Sequence, residues 1–267
     1  MKGSPPPNAQ NGLKPTLKEQ NYFLSCVCRP TEELTVVKAG EEVSPPIEAE
    51  VITKEWLNAE IVRLLLLPKS PFSYHAGQFL HIHHPNGTIR SYSLASVPNH
   101  EETLELHVRL LQGGVMTSWL VNEVEVGDYI TVSGPAGNCF YVKGKEAQNV
   151  LLVGTGSGLA PLYGILRDAL YAGHTGKIAL YHGSWRPEGL YLVEELMALA
   201  DGYPQFLYVP YADESQQEGV VQGQAHRVAL FQHPNLKDWR VFLCGHPGMV
   251  ASAKRQTFLA GASLSDI

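Results

Sequence analysis

A chain of 267 residues with a formal charge of −6 has room for about two domains of roughly 150 residues each. Hydrophobic residues make up 44% and charged residues 17%, which is enough apolar material for real cores and excludes disorder of the whole chain. The acidic balance argues against nucleic acid as the main partner, because phosphate binding needs a basic face.

No run approaches the ~18 apolar residues of a bilayer span, and the longest candidate, residues 64–67, stops at Pro68. The opening Met-Lys-Gly-Ser-Pro-Pro-Pro has no apolar segment of the signal-peptide kind. With four cysteines and no secretion signal, the expectation is a cytoplasmic protein with reduced thiols and no membrane partner. Cys26 and Cys28 are close in sequence, while Cys139 and Cys244 stand alone. Without a C-x-x-C pair or an H-x-x-x-H, no metal site is expected from this chain alone.

Residues 1–20 are rich in Pro, Asn, Gly and Lys and read as a flexible arm. Residues 39–47 read as a linker with two prolines. From Ile47 to about Lys143 the period is two. Leu104, Leu106, Val108 and Leu110 alternate with Glu105, His107 and Arg109, the pattern of a strand with one buried face. Leu80 and Ile82 alternate with His81 and His83 in the same way. Short strands between Gly and Pro turns predict an antiparallel barrel or sandwich, interrupted by one helix near residues 116–123. From about Gln148 the pattern becomes strand–helix. Strands are predicted at 150–153, 178–181, 206–209 and 241–243, and helices at 160–172, 190–200, 224–231 and 248–259. Such alternation predicts a parallel sheet. The chain therefore reads as β followed by α/β, with function expected in the cleft between the halves.

Three segments carry chemistry. In Val153-Gly154-Thr155-Gly156-Ser157-Gly158 a buried strand enters a glycine turn ahead of a helix, where bare backbone and a helix N-terminus can meet a phosphate. The spacing is G-x-G-x-G, not the common dinucleotide fingerprint, and a ligand-free tight turn would look the same. The acid expected after the second strand of such a fold is replaced by His182-Gly183-Ser184-Trp185-Arg186, so Ser184 and Arg186 leave a ribose 2′-hydroxyl and a 2′-phosphate both open. In Arg90-Ser91-Tyr92-Ser93 a cation, an aromatic and hydroxyls on extended backbone can meet a phosphate, a flat ring and a ring heteroatom. In Cys244-Gly245-His246-Pro247-Gly248-Met249 a buried strand ends at the crevice edge of a parallel sheet, although a lone buried Cys is most often a small core residue. His81, His83 and His84 read as surface or core histidines, and Glu194 and Glu195 as helix surface.

Taken in order, these segments resemble the ferredoxin–NADP reductase superfamily over about residues 47–259. The motifs are R-x-Y-S at 90–93, G-G-x-M-[ST] at 113–117, G-P-x-G-x-x-F at 134–140, G-T-G-x-G-x-A-P at 154–161 and C-G-x-P-x-M at 244–249. The nearest look-alikes are reductase components of bacterial oxygenases. The resemblance implies a six-stranded antiparallel FAD-binding barrel over 47–143 and a parallel-sheet NAD(P)-binding domain over 148–267. It implies hydride transfer from NADH or NADPH to FAD, and electron delivery to a ferredoxin, another iron–sulfur protein or an oxygenase. It places Arg90 on the flavin phosphates, with Ser91 and Tyr92 on the flavin and Ser93 near its N5. His107, Val108 and Arg109 would run beside the cofactor, and Gly114, Met116 and Thr117 would take the pyrophosphate. Gly154, Thr155, Gly156 and Gly158, with Ser184 and Arg186, would bind the nicotinamide nucleotide. Cys244, Gly245, Pro247 and Met249 would close around the nicotinamide, and Ser93 and Cys244 would be the catalytic pair.

Residues 24–30, Leu-Ser-Cys-Val-Cys-Arg-Pro, resemble the last part of a plant-type ferredoxin domain without the three upstream cysteines. Residues 1–40 are accordingly expected to be a ferredoxin remnant and linker carrying no iron–sulfur cluster, with 22–37 partly disordered or borrowed by a neighbouring molecule. The aromatic that covers the flavin in relatives is not expected after Gly261. Two other activities fit the same motifs: reduction of free flavin or dyes, and a non-catalytic interaction module that kept the fold.

Overall fold

The computed structural model describes residues 3–38 and 45–267. Most of the linker expected at 39–47 lies outside these. In place of a flexible arm, Pro7–Gln10 forms a 3-10 turn and Pro15–Glu19 a short helix, α1. Both start at proline, whose fixed φ suits a first helical position. Ala9 and Thr16 are buried, and the Lys14 ammonium is hydrogen-bonded to the Ile267 carbonyl oxygen, so the segment is tied to the other end of the chain. Residues 20–34 contain no helix or strand.

Six strands follow: β1 (Ile47–Trp56), β2 (Ile61–Pro68), β3 (Phe79–His83), β4 (Ile89–Ser93), β5 (Leu104–Arg109) and β6 (Tyr129–Ala136), with helix α2 (Val115–Asn122) between the last two. They pair antiparallel in the order β4-β3-β6-β1-β2-β5, and a Leu94–Leu106 bridge joins the two ends of the sheet. The predicted barrel is thereby closed. Its interior holds the alternate apolar residues Val51, Leu64, Leu66, Leu80, Ile82, Leu106 and Val108.

The second half is a parallel sheet of β7 (Val150–Thr155), β8 (Ile178–Ser184), β9 (Phe206–Ala212), β10 (Val221–Gln222) and β11 (Arg240–Cys244), ordered β10-β9-β8-β7-β11. Four helices cover it: α3 (Leu159–Tyr171), α4 (Val193–Gly202), α5 (Ala225–Gln232) and α6 (Pro247–Leu259). Val150 and Leu152 face the core under α3 and α4, while Leu151 and Val153 face the core under α5 and α6. That division explains why β7 is continuously apolar. The helix expected at 190–200 begins later, at Val193, because Leu192 adopts left-handed backbone at φ +53. Strand β10 has only two residues, too few to show a period.

One strand departs from its predicted pattern in a way that matters for the site. β5 has two buried faces. Glu105 is 6% and His107 4% exposed, because the nucleotide domain packs against the outside of the barrel here.

Candidate active site

The crevice between barrel and sheet has a volume of about 2050 Å³. Pockets for a single small-molecule ligand run to roughly 300–1,000 Å³, so two nucleotides can lie in it together. Its barrel wall carries Arg90, Ser91, Tyr92 and Ser93 of β4, His107 and Arg109 of β5, and Gly114, Met116 and Thr117 at the start of α2. Its other wall carries Thr155, Gly156 and Gly158 after β7, Ser184 and Arg186 after β8, and Cys244, Gly245, Pro247 and Met249 after β11. Two expected residues are not on the surface of the crevice. Val108 is fully buried in the barrel core. Gly154 lies beneath the turn, where a Cβ would meet Leu162 at 2.7 Å, and it pairs in register with Cys244.

The two walls differ in how their cations are held. Arg109 is tied to Glu60, with its Nη2 at 2.7 Å. Arg90 has no carboxylate partner among the described residues, and its guanidinium donates only to the neighbouring Ile89 carbonyl at 2.8 Å. On the same wall of the crevice, α2 has Gly114 as its N-cap with no capping side chain, so the first-turn N–H groups remain available to an anion. Thr117 Oγ1 donates to the Gly114 carbonyl and accepts from Leu111 N–H, both at 3.2 Å, which fixes that turn. Ser91 Oγ sits 3.0 Å from His81 Nδ1. Tyr92 packs against the barrel core, and burial pushes its hydroxyl up to about 12.

On the nucleotide wall the strand ends lock together. Gly158 presses against the backbone of Cys244; a Cβ there would lie 2.5 Å from the Cys244 carbonyl oxygen. Gly245 has φ +131 and its Cα lies against Thr155, whose Oγ1 also accepts from His246 N–H at 3.1 Å. Only glycine combines that φ with that approach.

Sequence reading missed the buried polar network behind the crevice. His107 is hydrogen-bonded through Nε2 to Glu105 at 3.0 Å and through Nδ1 to the Tyr191 hydroxyl at 3.2 Å. Glu105 pairs with Arg63 at 3.0 Å and with Arg167 of α3 at 3.3 Å. Arg167 also donates to the Ala95 carbonyl at 2.6 Å, pairs with Glu101 and lies over the Tyr163 ring. Burial opposes charge on Glu105, but the His107 hydrogen bond and the two guanidiniums hold its carboxyl below the usual range. Burial pushes His107 down, against the pull of Glu105. It pushes His182, which touches Tyr191 edge-on, down to about 3. Both imidazoles are therefore neutral at pH 7. Also missed as site residues were Trp185, Asp213, His226 and Arg227, which line the crevice but belong to no binding motif.

No group of three or more His, Cys, Asp or Glu among the described residues is placed to hold a metal ion. None of the described helices is long and apolar enough to cross a membrane.

A closed antiparallel barrel against a parallel sheet, with a bare glycine turn on one wall of the crevice and Arg90 and an uncapped helix on the other, is the arrangement of a two-nucleotide oxidoreductase. Comparison with known proteins narrows the class. The Oxidoreductase FAD-binding domain family matches residues 48–141 and the Oxidoreductase NAD-binding domain family residues 152–255. The ferredoxin–NAD(P)+ reductase component of the Pseudomonas putida naphthalene 1,2-dioxygenase system is 33% identical over 252 residues, covering 91% of this chain and 75% of the relative. The reductase subunit of an Amycolatopsis aromatic O-demethylase is 32% identical, covering 85% and 71%. The crystal structure of an Amycolatopsis cytochrome P450 reductase superposes with a TM-score of 0.80 at 28% identity, over 97% of this chain and 80% of that one. The chain belongs to the ferredoxin–NADP reductase superfamily, among the reductase components of oxygenase systems. It is an NAD(P)H-dependent flavoprotein reductase that passes electrons from FAD to an iron–sulfur or oxygenase partner.

Proposed function

We propose that the barrel wall holds FAD and the glycine-turn wall holds NADH, with Ser93 and Cys244 on either side of the stacked rings. The observation that carries this is that an Arg90 guanidinium without a carboxylate partner and the uncapped N-terminus of α2 line the same crevice wall, which offers charge and N–H donors for a pyrophosphate. When bound, FAD supplies two-electron acceptance from the nicotinamide and stepwise delivery to the acceptor. The protein's own part is orientation. Tyr92 offers a flat ring edge, and Ser93 a hydroxyl donor for the ring nitrogen. Thr155, Gly156 and Gly158 present backbone N–H groups to the second nucleotide. Cys244, Gly245, Pro247 and Met249 bound the nicotinamide end. No general base is required, in keeping with a neutral His107 whose two nitrogens are both engaged. The domain limits 47–143 and 148–267 follow the same division. The reading places the protein in the cytoplasm, with a ferredoxin or oxygenase as acceptor.

Arg90→Ala should weaken FAD binding roughly tenfold to a hundredfold, the loss of a charge-assisted contact of about 1.5–3 kcal/mol. Flavin fluorescence titration of the apoprotein measures it, and parent-like affinity would remove Arg90 from the phosphate site.

The choice of NADH over NADPH rests on the rim. Arg186 is drawn toward Glu214 at 3.6 Å, and Asp213 lines the same end. Carboxylates there suit a 2′-hydroxyl and repel a 2′-phosphate. Arg227 adds one cation the sequence reading did not count. Comparison of kcat/KM for the two nucleotides should favour NADH; a clear preference for NADPH would refute the assignment.

A further inference from the structure

The loop between β8 and α4 forms part of the nucleotide wall: Ser184, Trp185, Arg186, Glu188 and Gly189 all line the crevice. The loop is folded onto itself. The Arg186 carbonyl accepts from the Ser184 hydroxyl and from Gly189 N–H, the latter at 3.0 Å. The Leu190 N–H donates to the Pro187 carbonyl at 3.0 Å. Gly189 lies so near Ser184 that a Cβ on it would stand 3.0 Å from the Ser184 Cβ. Whatever holds Gly189 therefore also sets where Ser184 and the Arg186 backbone stand.

What holds it comes from the other domain. The turn between β1 and β2 carries Asn58, whose Nδ2 donates to the Gly189 carbonyl at 3.1 Å. Its Oδ1 accepts from the N–H groups of Glu60 and Ile61, both at 2.9 Å. The amide is thus fixed by its own turn, with its donor aimed across the seam. Beside it, Leu57 packs on the same core cluster as Tyr191 and Leu192. Two residues past Gly189, the Tyr191 hydroxyl meets Nδ1 of His107, in β5, at 3.2 Å. The loop then ends at Leu192 in left-handed backbone, φ +53, a conformation that persists in such a residue only where its surroundings hold it. Asn58 itself is not among the residues that line the crevice, although its neighbours Ala59 and Glu60 are.

We propose that Asn58 is a positioning residue for the pyridine nucleotide: through its side-chain amide the barrel domain reaches across the seam and fixes the loop that grips the adenosine half of NADH. This rests on the nucleotide assignment above, in which Ser184 and Arg186 stand at the adenosine ribose. Affinity for NADH is then partly a property of the barrel, set by a residue outside the crevice. The order of action is explicit. The β1–β2 turn orients the Asn58 amide, the amide holds the Gly189 carbonyl, and Gly189 holds Ser184 and the Arg186 backbone in place. A loop already held in its binding shape has less freedom to lose when the nucleotide arrives.

Anaerobic stopped-flow reduction of the FAD-loaded full chain separates the NADH dissociation constant from the limiting rate. Asn58→Ala removes the cross-seam donor without adding charge. Asn58→Asp removes it while keeping an oxygen for the Glu60 and Ile61 N–H groups. Both should raise the NADH dissociation constant roughly three- to tenfold, the scale of one lost hydrogen bond, with the limiting rate within about twofold of the parent. Reduced nicotinamide mononucleotide, which lacks the adenosine half, should bind parent and variants alike. A rise in the aspartate variant alone marks charge repulsion, and a rise in the alanine variant alone marks damage to the turn; either result, or no rise in both, overturns the proposal. So does an equal loss of affinity for the mononucleotide. A parent that binds NADH no better than the mononucleotide overturns the assignment of Ser184 and Arg186 itself, and the proposal with it.

Discussion

Glu105→Ala is expected to cost about 3–5 kcal/mol of stability, the range for removing one partner of a buried ion pair. The Glu105 side chain is 9% exposed and meets Arg63 and Arg167, whose side chains are 21% and 12% exposed. Its loss leaves two guanidiniums short of a counter-charge and strands Nε2 of His107, which is otherwise bonded only through Tyr191. Because the folded carboxyl is held below its usual range, its contribution is complete above the unfolded value of about 4.3 and is lost as pH falls through the lower folded value. The gap between the parent and Glu105→Gln should therefore be constant at neutral pH and narrow only in acid. Chemical denaturation at saturating FAD measures both effects. A cost for the alanine variant below about 1 kcal/mol would mean that the network is no more than a surface pair.

Gly158→Ala should slow flavin reduction by NADH roughly a hundredfold, because a misplacement of about 1 Å near the reacting groups can cost that much. The new Cβ would lie 2.5 Å from the Cys244 carbonyl oxygen and 2.6 Å from the Gly245 Cα. Both neighbours are backbone and cannot rotate aside. The turn and the end of β11 must separate, which opens the nucleotide wall while leaving Arg90, Tyr92 and Ser93 undisturbed. FAD affinity should stay near that of the parent, so anaerobic single-turnover reduction isolates the effect. A parent-like rate would show that these two loops need not touch for hydride transfer.

The strands of the barrel and the sheet were legible because their periods are local. Leu104, Leu106 and Val108 announce β5, and the apolar run at 150–153 announces a strand covered on both faces. The glycine turn, the Arg90 segment and the Cys244 segment were legible as chemistry because each is compact in sequence. What was not legible depends on partners far along the chain. Glu105 and His107 alternate with leucines and read as solvent-facing; only Arg63, Arg167 and Tyr191, brought in from β2, α3 and the segment before α4, make them interior. Arg227 stood unnoticed because α5 shows no motif, and the N-terminal arm because its anchor, Ile267, is at the opposite end of the chain.

The two buried faces of β5 bear on how such proteins can diverge. Oxidoreductases of this architecture look like separable modules, a barrel and a nucleotide sheet that lineages might reshuffle. Here the seam between them is itself a piece of interior. An incoming nucleotide domain would have to bring a guanidinium at the place of Arg167 and a hydroxyl at the place of Tyr191, or Glu105 would be left with Arg63 and His107 alone and His107 Nδ1 would lose its partner. Recombination at residues 143–148 thus conserves both folds but not the fit between them. The halves of this chain are expected to have been inherited as a matched pair, with change at one side of the seam answered on the other.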